Sequence, residues 1–192
     1  MTRSLRNSRQ GRVPDRHPLL VAAGSPLGSR IHPDERLHEV FEERVDRMRR
    51  IAAPTHFAVD AGETTLTYSE LDERANQLAR HLLRRGARPG DRIGLLFDRA
   101  VHSYVAMLAV SKIYAAYVPL DVGFPPDRIH YILSDARAHL VLSTFAVRGL
   151  VDGLDDIALQ LLYLDVDADD IMRQDPSRVT DTERGARVDD LA

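Results

Sequence analysis

The sequence contains no cysteine. That removes disulfides, thiolate metal sites and thiol nucleophiles together, and it suits a cytoplasmic protein. Lysine occurs once, at Lys112, against 25 arginines. Any chemistry that needs a lysine ammonium must use Lys112 or borrow one from another chain. No apolar run approaches the roughly 18 residues that span a bilayer. The short run Leu19-Leu20-Val21-Ala22-Ala23 is flanked by Pro14, Pro18 and Pro26, which argues against a signal core. A net charge of −3 gives no global field toward nucleic acid or anionic lipid. Partners of either kind, and a membrane, are therefore not expected.

What is present is a 192-residue chain, 44% hydrophobic, enough for one domain with a core and tails. Residues 1–33 are rich in Arg, Ser, Gly and Pro. Arg3, Arg6, Arg9, Arg12, Arg16 and Arg30 face a single acid, Asp15, before residue 31. This composition predicts a disordered basic leader. Residues 166–192 are acidic and are expected to form a solvated connector. Asp165, Asp167, Asp169 and Asp170 faintly echo a calcium loop, but the loop needs glycine at its sixth position, where Asp170 stands.

Between the tails, over 34–165, helical and strand patterns alternate. Leu37, Val40, Phe41, Val45 and Met48 recur at helical spacing. Short strands at His56–Asp60 and Thr64–Thr67 flank a turn at Ala61-Gly62-Glu63. Thr67 and Glu70 form a capping box for a helix that presents Leu71, Ala75, Leu78, Ala79, Leu82 and Leu83. Gly86 closes that helix in a left-handed cap. Arg92–Phe97 is apolar on both faces, as a buried parallel strand is. A helix at Val101–Ile113, a strand at Ala116–Pro119 and a helix at Pro126–Asp135 follow. Then come a strand at Leu140–Ser143, a short helix near Phe145–Leu150 and a strand at Leu161–Asp165. This order predicts an α/β fold with a doubly wound, mostly parallel sheet.

Two stretches are more specific. Leu66-Thr67-Tyr68-Ser69-Glu70-Leu71-Asp72-Glu73-Arg74-Ala75-Asn76-Gln77-Leu78-Ala79 resembles the first core motif of adenylation domains in nonribosomal peptide synthetases. Lys112-Ile113-Tyr114-Ala115-Ala116-Tyr117-Val118-Pro119-Leu120-Asp121 resembles the second. Between and after them, Pro89-Gly90-Asp91-Arg92, Phe124-Pro125-Pro126-Asp127-Arg128-Ile129 and Leu133-Ser134-Asp135-Ala136 keep the pattern. The resemblance covers about Leu37 to Leu142. It implies the N-terminal part of an adenylate-forming (AMP-binding) enzyme. Tyr114 departs from the family, which commonly has glycine there. If the position takes positive φ, tyrosine costs on the order of 1 kcal/mol.

The resemblance implies ATP and Mg²⁺ as cofactors of the complete domain and an acyl-adenylate as product, with an amino acid as the expected acid. The family's Ser/Thr/Gly-rich phosphate loop ending in Pro-Lys-Gly does not occur in this sequence, and no Walker motif does. Val188–Ala192 resembles the lead-in to that loop. No residue here is accordingly assigned a catalytic, cofactor-binding or metal-binding role. Lys112 is expected to complement a helix dipole, and Glu42, Glu43 and Arg44 to form a solvated face. Asp155-Asp156 is expected in a loop, His81 on the polar side of its helix and His139 at the start of a strand. The chain is expected to be inactive alone, a truncated adenylation domain whose partners are the missing C-terminal part or a carrier domain. The alternatives are half of a split enzyme that needs a second chain, a non-catalytic binding or scaffold module, and an unrelated α/β nucleotide binder.

Overall fold

The computed structural model describes residues 36–51, 56–61, 64–98, 101–151 and 159–185. The basic leader 1–33, Gly62-Glu63 of the expected turn, Asp155-Asp156 and Val188–Ala192 lie outside the described residues.

The elements run α1 (Leu37–Arg50), β1 (Phe57–Asp60), β2 (Thr65–Thr67), α2 (Tyr68–Arg84), β3 (Arg92–Leu96), α3 (Val101–Lys112) and β4 (Ala116–Leu120). They continue with α4 (Pro126–Ala136), β5 (Leu140–Ser143), a 3₁₀ turn (Phe145–Leu150), β6 (Gln160–Tyr163), α5 (Ala168–Met172) and α6 (Asp181–Arg184). β1 and β2 pair antiparallel, while β4-β3-β5-β6 form a four-stranded parallel sheet in that order. From β3 the chain steps outward to β4, then crosses back over β3 to β5 and on to β6. Right-handed crossovers in opposite directions place their helices on opposite faces. The packing follows: Ile93 and Leu95 of β3 and Leu140 and Leu142 of β5 face α2 and α3. Leu96, Val141 and Leu120 face Ile129 and Leu133 of α4. The expected doubly wound α/β fold is the one observed.

Local chemistry accounts for the elements. Thr67 Oγ1 accepts from the Glu70 amide at 3.2 Å, and the Glu70 carboxylate accepts from the Thr67 amide at 2.9 Å, so both halves of the capping box form. Gly86 closes α2 at φ 98°. α3 is apolar nearly all round because α1, α2 and the sheet enclose it. Gly94 lets α4 approach β3: a Cβ there would lie 2.8 Å from Leu133 Cδ2 and 2.9 Å from Val141 Cγ2. Pro119 does not end β4, as the sequence suggested. The strand continues to Leu120, and proline is tolerated because β4 pairs on one side only among the described residues.

Three expectations change. Leu37 is 60% exposed, and His38, at 2%, takes the inward position on α1 by packing its ring against Tyr114 at 5.5 Å. His81 does lie among polar side chains, with Arg85 donating to its Nε2 at 3.3 Å, but it is buried, 5% exposed, and not at the surface. The acidic stretch after 165 is not a solvated connector over its described part. It holds two short helices, buries Val179 and Arg184, and packs on α2. Two of its acids, Glu183 and Asp167, meet Arg80 and Arg85, while Asp169, Asp170, Asp175 and Asp181 stay exposed; the pairing with a distant helix is not visible in the composition of the stretch alone.

Candidate functional site

The two core motifs meet in a polar network, and its residues come from α1, α2, α3 and the returning segment 172–184. On α2, Asp72, Asn76, Arg80 and Arg84 are spaced by four and so share one face. Asp72 and Asn76 are 2% and 1% exposed. Such burial demands partners.

Lys112 ends α3 with a side chain that is fully buried. Its Nζ donates to Asp72 Oδ1 at 2.8 Å and to Glu42 Oε1. Lys112 does sit in the last turn of α3, but its ammonium is buried against two carboxylates, and Glu42 is not on a solvated face. Burying an ammonium is tolerable only when carboxylates meet it, and here α1 and α2 each supply one. With both carboxylates engaged, the ammonium is not free for a phosphate.

Farther along α2, the side chains read backbone. Asn76 Nδ2 donates to Pro176 O at 2.9 Å, and Gln77 Nε2 to Met172 O at 2.8 Å and Gln174 O at 3.2 Å. The Arg80 guanidinium donates to Asp175 O, Ser177 O and Arg178 O, and pairs with Glu183 at 2.7 Å. That pairing pulls the Glu183 carboxyl down to about 2. Arg178 returns the interaction by bonding Asp46 at 2.7 Å and Glu42 O at 3.0 Å.

Tyr114, two residues after Lys112, stands at φ 61°, so the position does take the left-handed conformation that glycine favours. Its ring is enclosed by Arg36, 3.7 Å from the centroid, and Arg184, 4.4 Å away. Its hydroxyl donates to Asp181 at 3.0 Å and accepts from Arg184 at 3.2 Å, while Arg184 Nε donates to Lys112 O at 2.6 Å. Burial raises the Tyr114 hydroxyl above its usual pKa. Burial likewise lowers His38 to about 4, with Arg184, Lys112 and Arg36 adding to the effect and Glu39 opposing it.

Two concavities lie elsewhere. A cleft of about 340 Å³ sits at the carboxyl ends of β3 and β4, lined by Phe97, Asp98, Leu120, Asp121 and Phe124 among others. A groove of about 490 Å³ lies between α2 and α5, with His81, Arg84, Arg85, Asp170, Arg173 and Gln174 on its walls. Its arginines are already engaged: Arg85 by Asp167 at 3.0 Å, Arg173 by Asp170 at 2.7 Å, Arg84 by Gln174 at 3.1 Å. His139 is half exposed and 3.4 Å from Asp91. Among the described residues no group of three or more His, Asp or Glu could hold a metal ion. Asp165 accepts from the Phe145 amide and holds the 3₁₀ turn. No described helix is long and apolar enough to cross a membrane.

The network was missed in sequence because a polar stripe on a helix reads as a solvated face. The available signal was the run Asp72, Asn76, Arg80 at a spacing of four, set beside an acidic stretch of matching charge.

The sheet, its crossovers and its flanking helices are those of adenylate-forming enzymes. VinN, solved with 3-methylaspartate, matches in fold with a TM-score of 0.65 over 77% of this chain and 41% of its own, at 21% identity. The nonribosomal peptide synthetase FmoA3, solved with α-methyl-L-serine-AMP, matches at a TM-score of 0.63 and 28% identity, over 77% of this chain and 16% of its own. The same synthetase has been solved with AMPPNP. The profile of the AMP-binding enzyme family matches residues 41–190, and the chain belongs to that family. Gramicidin S synthase 2 of Brevibacillus brevis is 39% identical over 128 residues, 67% of this chain and 3% of its own length. Malpibaldin synthetase of Mortierella alpina is 39% identical over 164 residues, 85% of this chain and 3% of its own. The chain thus corresponds to the N-terminal part of an adenylation domain of the nonribosomal peptide synthetase type and spans a few hundredths of such relatives.

Proposed function

We propose that this chain serves amino-acid activation as part of an adenylation domain. The complete domain would join a carboxylate to the α-phosphate of ATP, release pyrophosphate and hold the acyl-adenylate. The observation that carries this reading is the family match over 41–190, with both core motifs seated in the described fold. Stabilising the charge that builds on the phosphates requires amide donors, a cation and Mg²⁺. The phosphate loop that supplies them in the family does not occur in this sequence. The part of the described residues is structural: they build the parallel sheet and hold the segment that returns across α2. Alone, the chain is inactive and does not bind ATP tightly. Its partners are the rest of the adenylation domain and, downstream, a carrier domain, in the cytoplasm.

Amino-acid-dependent pyrophosphate exchange tests this. The purified chain should give no exchange with any amino acid. Mixed with a second polypeptide carrying the family residues that follow position 192, it should give exchange with a defined subset. Exchange by the chain alone would overturn its inactivity. No exchange by the pair, across proteinogenic and nonproteinogenic amino acids, would overturn amino-acid activation.

A further inference from the structure

We infer that residues 168–185 are a strap that docks on the α1–α2–α3 layer and releases from it as a unit, separately from the sheet, with Asn76, Gln77 and Arg80 as the residues that read it. Such a strap goes beyond the activity proposed above and does not depend on it.

The first ground is how the strap is recognised. Asn76, Gln77 and Arg80 donate to the carbonyls of Met172, Gln174, Asp175, Pro176, Ser177 and Arg178. A helix face that reads successive main-chain carbonyls treats the segment as an extended peptide in a groove. The second ground is how little apolar surface anchors it. Val179 is buried and Ile171 is partly so, but Met172 is 60% exposed. By contrast Ile93, Leu96, Leu140, Val141 and Leu142 in the sheet are all at or below 1%.

The third ground is charge. Glu183 meets Arg80 and Arg178 meets Asp46, each with at least one partner appreciably exposed. Such pairs are screened by salt, whereas apolar burial is not. A segment held by partly exposed ion pairs, carbonyl contacts and the single hydrogen-bonded Arg184, with one buried apolar anchor, opens at a lower free energy than the strands beneath it. Docking brings Arg184 onto Lys112 O and Tyr114, and so sets the course of the chain at the end of the strap.

Hydrogen exchange read by mass spectrometry on the full chain tests this in two ways. Raising the salt from low to high should speed exchange in peptides covering 172–185 by about tenfold and leave β3 and β5 unchanged. At low salt, Arg80→Ala should do the same by about tenfold or more. Arg80→Lys should not restore protection, because a point charge cannot span several carbonyls and a carboxylate. Strap exchange that stays unmoved in either treatment would overturn the inference. So would exchange that rises together with β3 and β5, including global unfolding of Arg80→Ala, since a separable strap cannot take the sheet with it.

Discussion

Around β3 and β5 the contacts are apolar on both faces, from α3 on one side and from α4 at Gly94 on the other. Around residues 172–184 they are hydrogen bonds and ion pairs, and the one deeply buried apolar side chain is Val179. Both regions are ordered against the same helix, α2. Its apolar face, Leu71, Ala75, Leu78 and Leu82, serves the core. Its polar stripe, Asp72, Asn76 and Arg80, serves the strap and Lys112. One motif therefore carries two kinds of information. The apolar half depends on volume and area. The polar half depends on the position of individual atoms, and fails when one partner is removed.

The sharpest way to break this comparison is at the junction. Lys112→Met leaves Asp72 buried and Glu42 nearly so without their shared cation, and should cost about 3–5 kcal/mol in urea denaturation. Adding Asp72→Leu should recover most of that loss, because an apolar pair of similar volume avoids the desolvation of both ions. A cost below about 1 kcal/mol for Lys112→Met would mean that the junction rests on packing like the sheet.

The same division explains what could be read in the sequence. Strand Leu140–Ser143 falls where its apolar run predicts, and the capping box at Thr67 and Glu70 forms as expected, because each depends on neighbours in the chain. Pairing of Arg80 with Glu183 joins residues 103 apart, and Lys112 meets Asp72 across 40. No local period encodes such contacts. His38 shows the limit from the other side. Helical spacing assigns the inward position to Leu37, but the ring of Tyr114 and the buried cations beside it select His38. That choice depends on residues more than 70 positions away, and one sequence does not reveal it.

His38 sharpens the comparison through pH. Folded, it takes up a proton only near pH 4, chiefly because it is buried; unfolded, it does so near 6.5. Between these values the unfolded chain binds more protons. Stability is therefore complete above about pH 6.5 and falls as pH drops toward 4, by roughly 3 kcal/mol in total. His81, lowered by burial as well, adds loss of the same sign. Urea midpoints measured across this range should show the slope, and His38→Gln should remove most of it. Glu183, held down to about 2 by Arg80, contributes at lower pH, as its pairing is lost between about 4.5 and 2. An unchanged slope in His38→Gln would place the acid sensitivity elsewhere in the junction.

The smallest expected effect is at Tyr114→Phe. The ring and its left-handed backbone remain, so the contacts with Arg36 and Arg184 and the conformational cost are conserved. Only the hydroxyl is lost, with its bond to Asp181 and the one it accepts from Arg184. Asp181 is three-quarters exposed and keeps Arg184 as a partner, so water and the guanidinium replace the lost donor at little cost. Arg184 retains Lys112 O and Asp181. The change should therefore be about 0.5–1 kcal/mol, with faster amide exchange confined to 181–185. Tyr114→Gly makes the contrast. It relieves a left-handed penalty of about 1 kcal/mol, yet it removes two cation–ring contacts worth roughly 0.5–1 kcal/mol each along with both hydrogen bonds. The hydrogen bonds are lost in both variants, so glycine should be the less stable of the two by about 0.5 kcal/mol. If glycine proves more stable than phenylalanine, backbone strain outweighs the ring's contacts at Tyr114, and the tyrosine is then a burden on the strap's anchorage instead of a part of it.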